Sequence, residues 1–117
     1  MCIRDSRLVH PEDGDVLALA IGSVAPCVSA PVFEEVLYRG FLLPALCRFM
    51  PLGRALPVHA LLFGVHHNAG SALLPLSALG LLWGLLYVRS ANLLVPILVH
   101  CMWNSRIFLA ALQDLAV

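Results

Sequence analysis

The sequence predicts an all-α, polytopic transmembrane helix bundle of four or five helices, and three observations support that fold class. Of the 117 residues, 61% are hydrophobic and only 12% are charged, against roughly 45–50% and about 25% in soluble domains. Positions 55–88 contain no Asp, Glu, Lys or Arg, and a membrane-crossing helix needs an apolar stretch of this kind. The remaining apolar runs have the length of helices rather than of strands.

The charge balance and the cysteines exclude other classes of protein. Seven Arg and no Lys oppose seven Asp and Glu, so the formal net charge is zero. The basic surface that binds nucleic acid is missing, and we expect no nucleic-acid partner. The cysteines have neither CxxC nor CxxH spacing and are interpreted as packing residues; they are Cys2, Cys27, Cys47 and Cys101.

Residues 1–15 form a polar segment of doubtful origin in front of the apolar core. The first ten residues lack the basic-then-apolar order of a signal peptide. The core, residues 16–117, has room for only four or five spans at about 20 residues each. We therefore expect the chain to be part of a longer membrane protein whose missing helices precede Val16.

Proline and turn residues divide the core into five predicted spans. A new helix is expected after Pro31, because proline lacks an amide hydrogen and suits the first turn of a helix. The sequence Pro-Leu-Gly-Arg at 51–54 is typical of a turn, as is Arg-Ser-Ala-Asn at 89–92. The predicted spans are A (16–31), B (32–50), C (56–67), D (72–88) and E (93–112).

Two patterns predict how the spans pack and how they are oriented. Gly80 and Gly84 on span D are small residues at helical spacing, which let another helix approach closely. If the five spans alternate in direction, four arginines fall on one side, and the positive-inside rule places that side in the cytoplasm. These arginines are Arg4, Arg7, Arg54 and Arg89.

Ionisable residues inside the spans carry the functional information, because each costs roughly 2.5–3.5 kcal/mol at the centre of an inserted helix. Glu35 and Arg39 on span B are four residues apart, which suits an ion pair. Glu34 points about 100° away from Glu35, so its partner must come from another helix. Glu34 is therefore the leading catalytic candidate, although a purely structural network of the three residues stays open.

Spans C and E carry polar side chains at the same four-residue spacing. Phe63 and His67 share one face of span C, and His100 and Asn104 share one face of span E. A single His in an apolar helix is more often an interhelical hydrogen-bonding residue than a catalyst. A carboxylate, two imidazoles and an amide between three helices can hold a water, accept its proton and stabilise an oxyanion. The other histidines, His10, His59 and His66, are interpreted as structural or interfacial.

These residues form three motifs in a fixed order. EExxxR stands at positions 34–39, FxxxH at 63–67 and HxxxN at 100–104. With them, the sequence resembles the CaaX protease and bacteriocin-processing (CPBP, or Abi) family of intramembrane endopeptidases over about residues 30–104. The resemblance implies that residues 16–117 are the core of an intramembrane protease.

The resemblance also implies a role for each motif residue. Glu34 and His67 would activate a water, and His100 with Asn104 would stabilise the oxyanion. The supporting residues would orient Glu34 and pack beneath His67. The catalytic candidates are thus Glu34, His67, His100 and Asn104, and the supporting residues are Glu35, Arg39 and Phe63.

The resemblance leaves the metal requirement open, since the family is described both as metalloproteases and as glutamic endopeptidases. Glu34 and two histidines could supply three ligands to a catalytic Zn²⁺, with water in the fourth position. The sequence has no HExxH motif, and with Glu34 on a metal the base would have to be Glu35. We favour the glutamate mechanism, with no cofactor and no metal ligands.

Two alternatives to proteolysis stay open. A non-catalytic membrane protein of the same family could act in bacteriocin self-immunity or as a scaffold, and a transporter or proton relay also uses intramembrane Glu and His. For the protease, the expected partners are the lipid bilayer and membrane-associated or prenylated, CaaX-type proteins or peptides. The Ala- and Leu-rich composition with Arg and no Lys indicates an integral protein of a prokaryotic cell membrane.

Overall fold

The computed structural model describes residues 15–67 and 70–115, and these residues form four long helices and no strand. Three helical stretches are long and apolar enough to cross a membrane, at Val16–Cys47, Gly70–Ser90 and Leu94–Gln113. The prediction of a helical membrane bundle is therefore confirmed. The four helices are α1 (Val16–Cys47), α2 (Leu52–His66), α3 (Leu73–Ser90) and α4 (Leu94–Leu115), with a single 3₁₀ turn at Gly70–Ala72 before α3.

The division between spans A and B is wrong, because the chain continues through Pro31 as one helix. Two π-helical turns, Ala25–Ser29 and Val36–Leu42, interrupt the α-helical geometry of α1. The N–H of Ala30 bonds to the carbonyl of Ala25, five residues earlier. Because a proline removes one donor, the wider π turn lets the helix continue with a shifted register. The prolines are thus accommodated by π turns and do not end α1.

Helix α2 is shorter than a membrane span and begins earlier than predicted for span C. Its 15 residues make a helix of about 22 Å, whereas the hydrocarbon core of a bilayer is about 30 Å thick. The two ends of α2 therefore cannot both lie at the surfaces of a bilayer. Helices α3 and α4 match the predicted spans D and E to within three residues at each end.

Glycines allow α2 and α3 to pack closely as an antiparallel pair. A Cβ atom on Gly80 would come within 3.1 Å of the Phe63 ring and 3.2 Å of the Ala60 carbonyl oxygen. A Cβ atom on Gly84 would lie 3.1 Å from the ring of His59. The close approach predicted for Gly80 and Gly84 is confirmed, and the approaching helix is α2.

Three buried clusters show which helix ends meet. One cluster joins the start of α1 to the end of α4, a second lies at mid-height, and a third joins the end of α1 to the start of α2 and the end of α3. The side chain of Asp15 caps the N-terminus of α1 by accepting hydrogen bonds from the backbone N–H groups of Leu17 and Ala18. The buried members of the first cluster are Leu19, Cys27, Phe108 and Ala111. Those of the second cluster are Tyr38, Phe63 and Trp83, and those of the third are Leu43, Ala55 and Leu56.

The exposed side chains Arg48, Arg54 and Arg89 lie at the end of the bundle where the third cluster is found, and we call it the arginine end. The predicted alternation of five spans fails, because spans A and B are one helix. Arg4 and Arg7 lie outside the described residues, as does His10. Of the cysteines, Cys27 is buried as expected, but Cys47 is exposed because it stands at the end of α1.

Candidate active site

Three helices bring the predicted site residues together around one carboxylate. Glu34 on α1 is buried, with 6% of its surface exposed. Its Oε2 atom lies 3.7 Å from Nε2 of His67, at the end of α2, and 3.8 Å from Nε2 of His100 on α4. Both imidazoles are also nearly inaccessible to solvent. The meeting of a carboxylate and two imidazoles that the motifs predict is present in the structure.

Hydrogen bonds at Nδ1 determine how the two imidazoles face Glu34. Nδ1 of His67 lies 2.8 Å from the carbonyl oxygen of Phe63. Nδ1 of His100 lies 2.8 Å from Oε1 of Glu35. A carbonyl or carboxylate oxygen only accepts, so both Nδ1 atoms carry a proton and donate. In a neutral ring, Nε2 is therefore unprotonated, and its lone pair faces Glu34.

The predicted ion pair of Glu35 and Arg39 is confirmed and links three helices. Nη1 of Arg39 donates to Oε1 of Glu35 over 3.1 Å, and both side chains are fully buried. Nη2 of Arg39 donates to the carbonyl oxygen of Gly80 on α3 over 2.8 Å. Since the same Oε1 atom accepts from His100, Glu35 joins α1 to α4 while Arg39 joins α1 to α3.

Aromatic rings surround these polar groups. The guanidinium carbon of Arg39 lies 4.8 Å from the ring centre of Phe63, within the range of cation–π contacts. Phe63 packs against His67 with ring centres 4.6 Å apart, as predicted. Trp83 stacks on His100 with ring centres 4.0 Å apart and planes inclined by 20°. The contact of Trp83 was not predicted, although its position three residues after Gly80 places both on one face of α3.

Asn104 forms a hydrogen bond that its predicted role as an oxyanion donor does not explain. Its Nδ2 donates to the carbonyl oxygen of Pro26 over 2.8 Å. In the π-helical register of this turn, that carbonyl would accept from position 31, which is a proline without an N–H. Asn104 supplies the missing donor and holds α4 against α1. Its amide has a second proton, so its contribution to an oxyanion site stays a prediction.

Two histidines outside the motifs have structural contacts. His66 is exposed, and its Nδ1 forms a 2.7 Å hydrogen bond with the hydroxyl of Tyr38, which the motifs did not indicate. His59 is fully buried beside Gly84 and meets Tyr38 edge to face at 6.0 Å. Both contacts agree with the structural interpretation of these two residues.

The site residues do not have the arrangement of a metal centre. No group of three or more His, Cys, Asp or Glu side chains in residues 15–67 and 70–115 could hold a metal ion. Two ligands of a tetrahedral zinc stand about 3.4 Å apart, given bond lengths near 2.1 Å. The two separations between Nε2 and Oε2 are 3.7 and 3.8 Å. Both separations exceed that spacing by about 0.3–0.4 Å, and we derive no step through a metal.

Comparisons with known proteins agree with the motifs. A sequence profile described as type II CAAX prenyl endopeptidase Rce1-like matches residues 16–106, which include all three motifs. The protein named putative membrane peptidase YdiL of Bacillus subtilis (strain 168) is 26% identical over 98 residues, 84% of this chain. The matched region covers 40% of the length of that relative. No solved structure gives a significant match.

Proposed function

Because the chain belongs to the Rce1-like family of type II CAAX prenyl endopeptidases, we propose that it hydrolyses peptide bonds within the bilayer. The proposed substrates are membrane-associated or prenylated, CaaX-type proteins or peptides. One observation carries the proposal: Nε2 of His67 and Nε2 of His100 lie within 3.8 Å of the same oxygen of Glu34. The use of Arg without any Lys and the Bacillus relative support a prokaryotic cell membrane as its location.

A water between these three groups has the partners that activation requires. It donates one proton to Oε2 of Glu34 and the other to Nε2 of His67, both acceptors in the tautomers described. Its oxygen attacks the substrate carbonyl carbon while Glu34 takes the proton. The same proton then passes to the leaving nitrogen as the C–N bond breaks. Glu34 thus serves first as the base and then as the acid.

The partners of the two imidazoles favour different roles. His67 donates to a neutral backbone carbonyl, which suits a neutral ring that accepts from water. His100 donates to the carboxylate of Glu35, which is the partner that an imidazolium needs. As an imidazolium, His100 donates from Nε2 to the oxyanion of the tetrahedral intermediate. The second amide proton of Asn104 is the further donor in this proposal.

The change of Glu34 to Gln tests the proposal, since Gln keeps the shape but cannot accept the proton. Membranes from cells that produce the wild type or E34Q are compared by mass spectrometry of newly formed protein termini, alongside hydrolysis of a synthetic prenylated peptide. We expect E34Q to lose about 10²–10⁴-fold in rate. The matched control is D15N, the same chemical change at an exposed cap, which keeps its hydrogen bonds and its activity.

Identical termini in membranes with wild type and E34Q would contradict the proposal. That result would favour the non-catalytic alternative, in which the protein acts in self-immunity or as a scaffold. The contacts from Arg39 to Gly80 and from His100 to Glu35 would then serve only to hold three helices together.

A further inference from the structure

We propose that Trp83 is a positioning residue of the site, whose indole holds the His100 ring in the orientation that directs Nε2 at Glu34. This inference rests on the proposed function for its catalytic consequence. The contact itself does not depend on that function. Neither the motifs nor the comparisons assign a role to Trp83.

The contact between Trp83 and His100 is a stack of two nearly parallel rings. Trp83 is 2% exposed and His100 is 3% exposed, so lipid and water are excluded from both rings. Their centres are 4.0 Å apart and their planes are inclined by 20°, whereas aromatic pairs usually have centres 4.5–7 Å apart. A pair this close and this parallel overlaps face to face. Trp83 therefore covers one face of the imidazole.

A hydrogen bond alone does not determine the orientation of an imidazole. The bond from Nδ1 of His100 to Glu35 fixes one ring atom, but the ring can still tilt about that contact. Nε2 lies on the far side of the ring, where a small tilt moves it away from Glu34, 3.8 Å distant. The face contact with Trp83 prevents that tilt. Bond and stack together determine where Nε2 points.

His67 is held by the same two kinds of contact. Its Nδ1 donates to the carbonyl oxygen of Phe63, and its ring lies against the Phe63 ring. Each imidazole thus has one hydrogen bond at Nδ1 and one aromatic surface. Because Phe63 belongs to the FxxxH motif and Trp83 to none, only the first of these aromatic partners is visible in the motifs.

Trp83 is itself held rigidly, as a positioning residue must be. Its ring meets Phe63 edge to face at 5.7 Å and 90°. The guanidinium carbon of Arg39 lies 5.7 Å from its centre. Gly80 and Gly84 bring the adjacent backbone of α3 against α2. The indole is therefore fixed by α1 and α2 and transmits that position to α4.

Kinetics separate positioning from simple filling of space. We expect W83L to lower kcat about tenfold or more with little change in KM, because displacing a catalytic group costs rate rather than binding. W83F keeps an aromatic face and should recover most of kcat. The matched control is W103L, at the exposed tryptophan of α4, with wild-type kcat. If W83L and W103L have the same kcat, the proposal is wrong.

Fluorescence tests the stack without any substrate. The chain has two tryptophans, so W103F leaves Trp83 as the only indole. An imidazole in contact with an excited indole quenches its emission, so we expect W103F to emit weakly. The quenching should be lost in W103F/H100Q and retained in W103F/H66Q. Equal emission from W103F and W103F/H100Q would overturn the stack.

The two measurements also distinguish the two proposals. If the wild type hydrolyses no peptide while the quenching depends on His100, the proposed function fails and the stack stands. If E34Q abolishes hydrolysis but W83L does not lower kcat, proteolysis stands and the positioning role fails. Far-UV circular dichroism identifies any variant that does not fold, and in that case W83F and the fluorescence pair decide the question.

Discussion

Replacing Arg39 with Met should destabilise the bundle by removing the arginine cation from the buried Glu35 carboxylate. The methionine retains the apolar stem that packs against Phe63 but loses two hydrogen bonds. These are the 3.1 Å bond to Glu35 and the 2.8 Å bond to the Gly80 carbonyl. Hydrogen bonds of charged groups contribute about 1.5–3 kcal/mol each, and breaking a buried ion pair costs about 3–5 kcal/mol. We therefore expect R39M to lower the free energy of unfolding by about 3–5 kcal/mol.

A double variant separates the unpaired charge from the lost contacts. In E35Q/R39M the buried group is neutral, and its amide oxygen can still accept from Nδ1 of His100. We expect the double variant to be more stable than R39M, with a coupling energy of about 1–3 kcal/mol. The measurement is reversible unfolding in mixed micelles of rising SDS fraction, followed by circular dichroism. R89M, at an exposed arginine, is the matched control and should change stability by less than about 0.5 kcal/mol.

Two results would refute this reasoning. If R39M is no less stable than R89M, then the pair of Glu35 and Arg39 does not stabilise the bundle. If the loss of stability in E35Q/R39M equals the sum of the losses in E35Q and in R39M, then the buried charge is not the cause of the loss.

Three further predictions concern helix packing and orientation. Y38F and H66A should each lower stability by about 0.5–1.5 kcal/mol, and unfolding of the double variant should show that they remove one shared hydrogen bond rather than two independent contacts. G80A should cost about 1–3 kcal/mol because its Cβ overpacks, whereas G22A, which meets nothing within 4 Å, should be neutral or stabilising in the same assay. In a variant with Cys47 as its single cysteine, a membrane-impermeant maleimide should label it from the cytoplasmic side, because the arginine end is positive; labelling from the opposite side would reverse the orientation.

Local spacing predicts the centre of the site because helices convert spacing into geometry. Residues four apart share a helix face, so the pair of Glu35 and Arg39 and the packing of Phe63 on His67 follow from the sequence. The meeting of Glu34, His67 and His100 follows because polar groups inside a bilayer gather at a common interior. The catalytic roles remain predictions.

Long-range details were not predictable in the same way. Pro31 is compatible both with the start of a helix and with a π turn. In the π turn, Asn104 of α4 donates to the Pro26 carbonyl in place of the absent N–H of Pro31. The stack of Trp83 on His100 depends on the rotation of α3 relative to α4. Periodicity within one helix carries no information about that rotation.

The shortness of α2 bears on how the proposed hydrolysis would obtain its second reactant. Each cleavage consumes one water molecule, and hydrocarbon excludes water. Helix α2 ends at His66, about 22 Å from its start, and a 3₁₀ turn at Gly70–Ala72 precedes α3. Backbone groups outside a regular helix are tolerated at membrane depth only where protein or water satisfies them. A hydrated inlet from the side opposite the arginine end would therefore reach His67 first.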